Sequence, residues 1–88
     1  MTRVALYFAQ DCSLCGPVHE LLERLREELG FELDEVDVTG FPELEARYRE
    51  WLPVVEIGGE RAFTYFVFAD ALRRKLDAAE GGALPAPP

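Results

Sequence analysis

The stretch that decides the fold of this chain reads VALYFAQDCSLCGPVHELLERL and spans residues 4–25. Its first part, residues 4–9, is apolar throughout, which is typical of a short strand buried on both faces of a sheet. Its last part repeats leucine at helical spacing, and Gly30 ends that pattern. Between the two lie both cysteines of the chain, Cys12 and Cys15. The sequence therefore predicts a C-x-x-C motif at a strand–helix junction.

The position of this motif favours redox chemistry. Unpaired N–H groups and the positive dipole end of a helix N-terminus stabilise a thiolate over a thiol. We therefore expect Cys12, at the helix end, to be the nucleophile, and the more buried Cys15, one turn further, to be the resolving thiol. The alternative is a pair of inert core cysteines, since cysteine often acts as a small hydrophobe. Two such bystanders would not need this spacing at such a junction.

Length and composition indicate one small globular domain. The chain has 88 residues, of which 49% are hydrophobic, and we expect a domain over residues 1–80 and a flexible tail over 81–88. No apolar run reaches the ~20 residues of a membrane helix, and the first residues do not resemble a secretion signal. Two cysteines so close together cannot form a disulfide scaffold. A cytoplasmic protein with an active-site C-x-x-C is the better interpretation.

The charge of the chain limits its partners. Nine basic residues against seventeen acidic ones give this acidic protein a net charge of −8. Such a surface repels phosphate backbones, so we expect neither nucleic acid nor membrane partners. It also disfavours acidic substrates such as glutathione, and it favours partners with basic patches.

The segment after Gly30 predicts a second strand and a second helix. Phe31 and Val38 bound the strand, and its apolar residues change phase midway, so a bulge or a late start is expected. Pro42 suits the first turn of the helix. The predicted inner residues of this helix are Leu44, Tyr48 and Trp51.

The last part of the domain predicts a hairpin and a third helix. Strand-like residues 53–57 and 60–63 flank Gly58-Gly59, which suits a two-residue turn. The third helix is expected over residues 66–79. Its predicted inner face consists of Phe68, Leu72, Leu76 and Ala79.

The complete element order is strand, helix, strand, helix, strand, strand, helix. Together with the C-x-x-C, the Leu52-Pro53 dipeptide before the third strand and the Gly58-Gly59 turn, this order resembles the thioredoxin superfamily, and its small glutaredoxin-like members in particular. The resemblance implies an α/β fold of βαβ-ββα type. Its four-stranded mixed sheet would carry helices on both faces.

The resemblance also implies a substrate site. Pro53 is expected to join Cys12 and Cys15 in the catalytic site, as a cis-proline that faces the C-x-x-C and exposes the Leu52 backbone to an extended substrate. The alternative is an ordinary trans proline on an edge strand. Ser13 and Leu14, between the cysteines, complete this predicted site. Tyr65, with Phe66, either lines an apolar platform beside the sulfurs or is a core aromatic.

These features predict a thiol–disulfide oxidoreductase with a dithiol mechanism. Its partners would be a disulfide-containing protein or small molecule and an unidentified thiol reductant, and the chain would be a monomer. No cofactor is expected. Glutathione is one candidate donor. However, the segment that holds it in glutaredoxins, a glycine pair with an acidic residue, here reads Thr64-Tyr65-Phe66-Val67-Phe68.

A binding module is the alternative function. His19 follows Cys15 by four residues, so a metal ion or a partner could be held by Cys12, Cys15 and His19, although His19 could equally be a solvated surface residue. Asp11 also bears on the choice, because a carboxylate directly before Cys12 opposes thiolate formation.

Overall fold

Strands and helices follow the predicted order in the computed structural model, which describes residues 2–80. The elements are β1 Arg3–Phe8, α1 Cys15–Leu29, β2 Glu32–Asp37, α2 Pro42–Tyr48, a short 3-10 helix Arg49–Trp51, β3 Val54–Ile57, β4 Glu60–Thr64 and α3 Ala69–Glu80. The tail predicted over 81–88 lies outside the described residues. Within residues 2–80, every helix is too short or too polar to cross a membrane.

The four strands form one mixed sheet in the order β2-β1-β3-β4. β1 pairs in parallel with β2 and antiparallel with β3, so it occupies the interior of the sheet, as its apolar sequence predicts. The register of β1 and β2 runs without a shift from Arg3–Glu32 to Phe8–Asp37. Of the two expectations for the second strand, the structure therefore shows the late start.

Two buried clusters cover the two faces of the sheet, which confirms the predicted fold class. One cluster joins the sheet to α1 and α3 and comprises Val4, Leu6, Val18, Leu22, Leu25, Phe31, Val55, Ile57, Leu72 and Leu76. The other lies on the α2 side and comprises Ala9, Cys15, Val38, Tyr48, Leu52 and Val54. Because neighbouring residues of a strand point to opposite faces, β3 contributes Val55 to the first cluster and Val54 to the second.

Glycines with positive φ end α1 and turn the hairpin, as predicted. Gly30 has a φ of 78° and donates its N–H to the Arg26 carbonyl at 2.8 Å, which satisfies an orphan carbonyl of the helix end. Gly58 and Gly59, with φ of 60° and 86°, connect β3 to β4.

Three predictions about the helices are wrong. Trp51 is 42% exposed. It lies in the 3-10 helix that follows α2, and the tighter turn of that helix places its side chain outside the inner face of α2. α3 begins at Ala69 rather than Phe66, since Tyr65 in the left-handed region interrupts regular structure. Phe68 therefore precedes the helix and is 66% exposed. Leu72 and Leu76 are buried as predicted, and the side chain of Ala79 lies outside what the structure describes.

Tyr7 and Tyr48 stack on the α2 side of the sheet. Their ring centroids are 4.1 Å apart, and the Tyr48 hydroxyl donates to Oε2 of Glu56 at 3.1 Å. Burial, the hydrogen bond with Tyr48 and the charge of Glu56 raise the pKa of Tyr7 from 10 to about 12. The folded protein therefore holds the Tyr7 proton more tightly than the unfolded chain does.

We predict that the raised pKa of Tyr7 makes the folded protein less stable in alkali. The contribution of this phenol to the free energy of unfolding is fully present below pH 10. It is lost as the pH rises toward about 12, because only the unfolded chain then releases the proton readily. The free energy of unfolding in urea, measured between these pH values, should fall less steeply for Tyr7→Phe than for the wild type. Equal slopes for the two proteins would contradict the assignment.

Candidate active site

A disulfide between Cys12 and Cys15 lies where β1 passes into α1. Their Cα atoms are 5.5 Å apart. Cys15 is the first residue of α1, and Cys12 lies in the turn before it, where its carbonyl accepts the Cys15 N–H at 3.4 Å. The prediction that Cys12 begins the helix is therefore wrong by one turn, because Ser13 and Leu14 belong to this turn and not to α1.

The two sulfurs differ in access, as predicted. Cys15 is only 4% exposed, whereas Cys12 is half-buried. α1 carries no side-chain N-cap and no acidic residue in its first turn. The positive end of its dipole is therefore free to stabilise negative charge on the adjacent sulfurs.

The loop before β3 meets the disulfide in the core. Leu52 shares a buried cluster with Cys15, and Cys12 packs against that cluster. Pro53, which follows Leu52, is fully buried, and the Leu52–Pro53 peptide bond is cis. The fold thus brings the Cys12–Cys15 pair and the Leu52-Pro53 pair of the predicted site into one region, although Cys12 and Leu52 are 40 positions apart in the sequence.

Tyr65 is tied to the same loop. It is the one non-glycine residue with positive φ in the described chain, at 67°. Its N–H donates to the Pro53 carbonyl at 3.0 Å, and its hydroxyl donates to the Glu50 carbonyl at 2.7 Å. These two bonds compensate a strained backbone of the kind that clusters at functional sites. No sequence pattern indicated this conformation.

Several side chains around the site are exposed and apolar. Leu14 is 37% exposed and Tyr65 38%, and Phe66 is 60% exposed. Tyr65 and Phe66 are therefore not core aromatics. Ser13 is exposed beside Leu14, and the Trp51 ring lies 6.2 Å from that of Tyr65.

Arg49 neutralises the carboxylate beside the nucleophile. Its guanidinium donates to both carboxylate oxygens of Asp11, at 3.2 and 2.8 Å. This pairing holds the pKa of Asp11 below its usual range. Sequence reasoning treated Asp11 as an uncompensated charge and missed Arg49, because 38 residues separate the two and no local spacing links them.

Removal of the Arg49 guanidinium should lower the reactivity of the reduced Cys12 thiol. In Arg49→Met, Asp11 becomes an isolated negative charge, so alkylation of Cys12 by iodoacetamide at neutral pH should fall a few-fold. Asp11→Asn should have the opposite effect. Arg47→Met is the matched control. It also removes one positive charge, from α2 next to the 3-10 helix that holds Arg49, and it leaves the Arg49–Asp11 pair in place. An equal effect of both arginine variants would assign the change to net charge alone.

A cavity of about 340 Å³ opens on the disulfide. Its lining includes both cysteines, Phe8, Gln10, His19 and Glu35. The imidazole Nε2 of His19 contacts Oε1 of Glu35 and lies 4.0 Å from Glu23. His19 thus shares a cavity with the sulfurs, but its neighbours for any metal ion are these two carboxylates, and cysteines joined in a disulfide offer no thiolate ligand.

The open mixed sheet with a C-x-x-C after its first strand, together with the match to a glutaredoxin-like family model, places this chain in the thioredoxin superfamily, and the Cys12–Cys15 disulfide supports a redox-type function. Within that class, it belongs to the family described as Glutaredoxin-like domain (DUF836), whose model matches residues 3–77. The predicted resemblance to small glutaredoxin-like proteins is confirmed.

Three relatives illustrate this placement. An uncharacterised protein of Mycobacterium tuberculosis is 33% identical, over 94% of this chain and 91% of its own length. The X-ray structure of a structural genomics target protein from X. campestris has a TM-score of 0.70 at 29% identity and covers 85% of this chain and 96% of its own. A thioredoxin mutant from Halobacterium salinarum shares the fold, with a TM-score of 0.67 at 21% identity over 88% of this chain and 73% of its own.

Proposed function

We propose that this protein is a cytoplasmic thiol–disulfide oxidoreductase with a dithiol mechanism. The observation that carries the proposal is the Cys12–Cys15 disulfide beside a cavity, in which the residue Cys12 is half-buried and Cys15 is buried. This asymmetry suits a nucleophile that meets the substrate and a resolving thiol that does not.

The reaction proceeds in two exchanges. The Cys12 thiolate attacks a substrate disulfide, forms a mixed disulfide and releases one substrate thiolate. The Cys15 thiolate then attacks the Cys12 sulfur, closes the protein disulfide and releases the second thiolate. The protein dithiol supplies both electrons, and an external thiol reductant restores it. The residues proposed to contact the substrate lie between the cysteines, in the loop before β3, or in a hydrogen bond with that loop. They are Ser13, Leu14, Leu52, Pro53 and Tyr65.

A redox titration tests this proposal. The protein is equilibrated in glutathione buffers of graded potential, and the state of the cysteine pair is read by intact mass. We expect the pair to titrate between about −270 and −180 mV, the range of known thiol catalysts. A glutathione adduct on Cys12 would identify glutathione as an accepted donor.

The same samples test the binding-module alternative. A metal mass that accompanies the protein, or a cysteine pair that stays reduced at every potential, would contradict the oxidoreductase proposal. The contact of His19 with Glu35 and its proximity to Glu23 are the features of the structure that could hold such an ion.

A further inference from the structure

The cavity beside the disulfide lies on the opposite side of β1 from the Pro53 loop. β2 and β3 flank β1 on its two edges, and the cavity takes Glu35 from β2 while Pro53 precedes β3. Leu52, Pro53 and Tyr65 do not line it. A group bound there would reach the sulfurs from a different direction than a peptide paired with the Leu52 backbone.

Glu35 is the carboxylate that lines this cavity. Glu35 lines it with a side chain that is 39% exposed, and Gln10, also in the lining, donates Nε2 to Oδ2 of Asp37 at 3.1 Å. In the described part of the chain, no arginine or lysine lies within ion-pair distance of Glu35 or Asp37. Among residues 2–80, the partner of Glu35 that can carry a positive charge is His19.

Other carboxylates near the site are compensated. Asp11 pairs with Arg49, Glu23 with Arg26, and Asp34 with Arg3. The negative charge at the cavity is therefore that of Glu35, and Asp37 lies outside the lining, where it accepts the hydrogen bond of Gln10.

From this juxtaposition we propose that the cavity binds the cationic arm of the substrate, and that the preferred substrates are small disulfides with an ammonium group close to the sulfur. The inference rests on the proposed function. A cavity of about 340 Å³ is large enough for a short aminoalkyl arm. An ammonium there would gain the attraction of Glu35 while its sulfur lies against Cys12.

Single-turnover oxidation of the reduced protein tests the preference. Three disulfides with arms of similar length are compared: cystamine, which is cationic, hydroxyethyl disulfide, which is neutral, and dithiodipropionate, which is anionic. Each reaction converts the Cys12–Cys15 dithiol to its disulfide and releases two small thiols, so no external reductant is needed. Comparison of each variant with the wild type cancels the intrinsic reactivity of each compound.

Glu35→Gln should slow oxidation by cystamine roughly three- to tenfold, leave hydroxyethyl disulfide within about twofold, and speed dithiodipropionate. Added salt should reduce the wild-type advantage of cystamine and leave the neutral compound unchanged. Asp34→Asn is the matched control, because it makes the same change in net charge on the same strand at a residue already paired with Arg3. It should leave all three rates near those of the wild type.

The outcomes separate this inference from the proposed function. If hydroxyethyl disulfide oxidises the wild type and Glu35→Gln has no effect on cystamine, or the same effect as Asp34→Asn, the cationic site is refuted and the oxidoreductase remains. If none of the three disulfides oxidises the Cys12–Cys15 pair, both proposals fail.

Discussion

Cys12→Ser is expected to reduce disulfide turnover by more than about a thousandfold, to the level of the uncatalysed exchange. A serine hydroxyl is not ionised at neutral pH and cannot form the mixed disulfide, so both exchanges are lost. Reduction of hydroxyethyl disulfide in the presence of dithiothreitol measures the effect. Thermal unfolding of the reduced wild type and the reduced variant controls for folding. The two should unfold at similar temperatures, because serine is close in size to the half-buried Cys12 side chain that it replaces.

Cys15→Ser is the companion to this variant and assigns the roles of the two sulfurs. Without a resolving thiol, Cys12 should remain joined to one half of the substrate, and intact mass should show that adduct. An adduct on Cys15 in the Cys12→Ser protein, with turnover retained, would reverse the assignment.

Leu22→Ala should have the largest effect on stability, a loss of about 3 kcal/mol in the free energy of unfolding. Leu22 is 0% exposed and packs from α1 into the larger buried cluster, so truncation leaves a cavity that the sheet cannot fill. This loss is a large fraction of the roughly 5–15 kcal/mol available to a small domain.

Leu29→Ala is the matched control for that variant. It makes the same substitution in the last turn of the same helix, where the side chain is 39% exposed, and should cost less than about 1 kcal/mol. Urea unfolding of the reduced proteins measures both. Equal losses at the two positions would mean that helix propensity rather than packing decides the effect.

Local patterns in the sequence determined the elements and the reactive pair. The apolar run of β1, the leucine spacing of α1 and the positive-φ glycines at Gly30 and Gly58-Gly59 each depend on residues close together in the chain. The cysteine pair and the unequal burial of its two residues are local features as well, because Cys12 and Cys15 are three positions apart. Such features can be predicted because strand and helix periodicity decide which neighbours share a face.

Where periodicity ended, the predictions were wrong. Trp51 and Phe68 were placed on inner helical faces, but each lies outside its α-helix and is exposed. The left-handed backbone of Tyr65 moved the start of α3, and its hydrogen bonds to the Pro53 and Glu50 carbonyls have no local sequence signature.

The sequence by itself determined the fold class, the redox pair and the acidic character of this protein. Only the tertiary structure decided the surroundings of the sulfurs: Arg49 against Asp11, Leu52 in the cluster of Cys15, and His19 against Glu35 at the cavity. The physical reason is that ion pairs and cavities join side chains from separate elements. Sheet pairing and packing bring these elements together, and residue spacing within any one of them does not encode the contact.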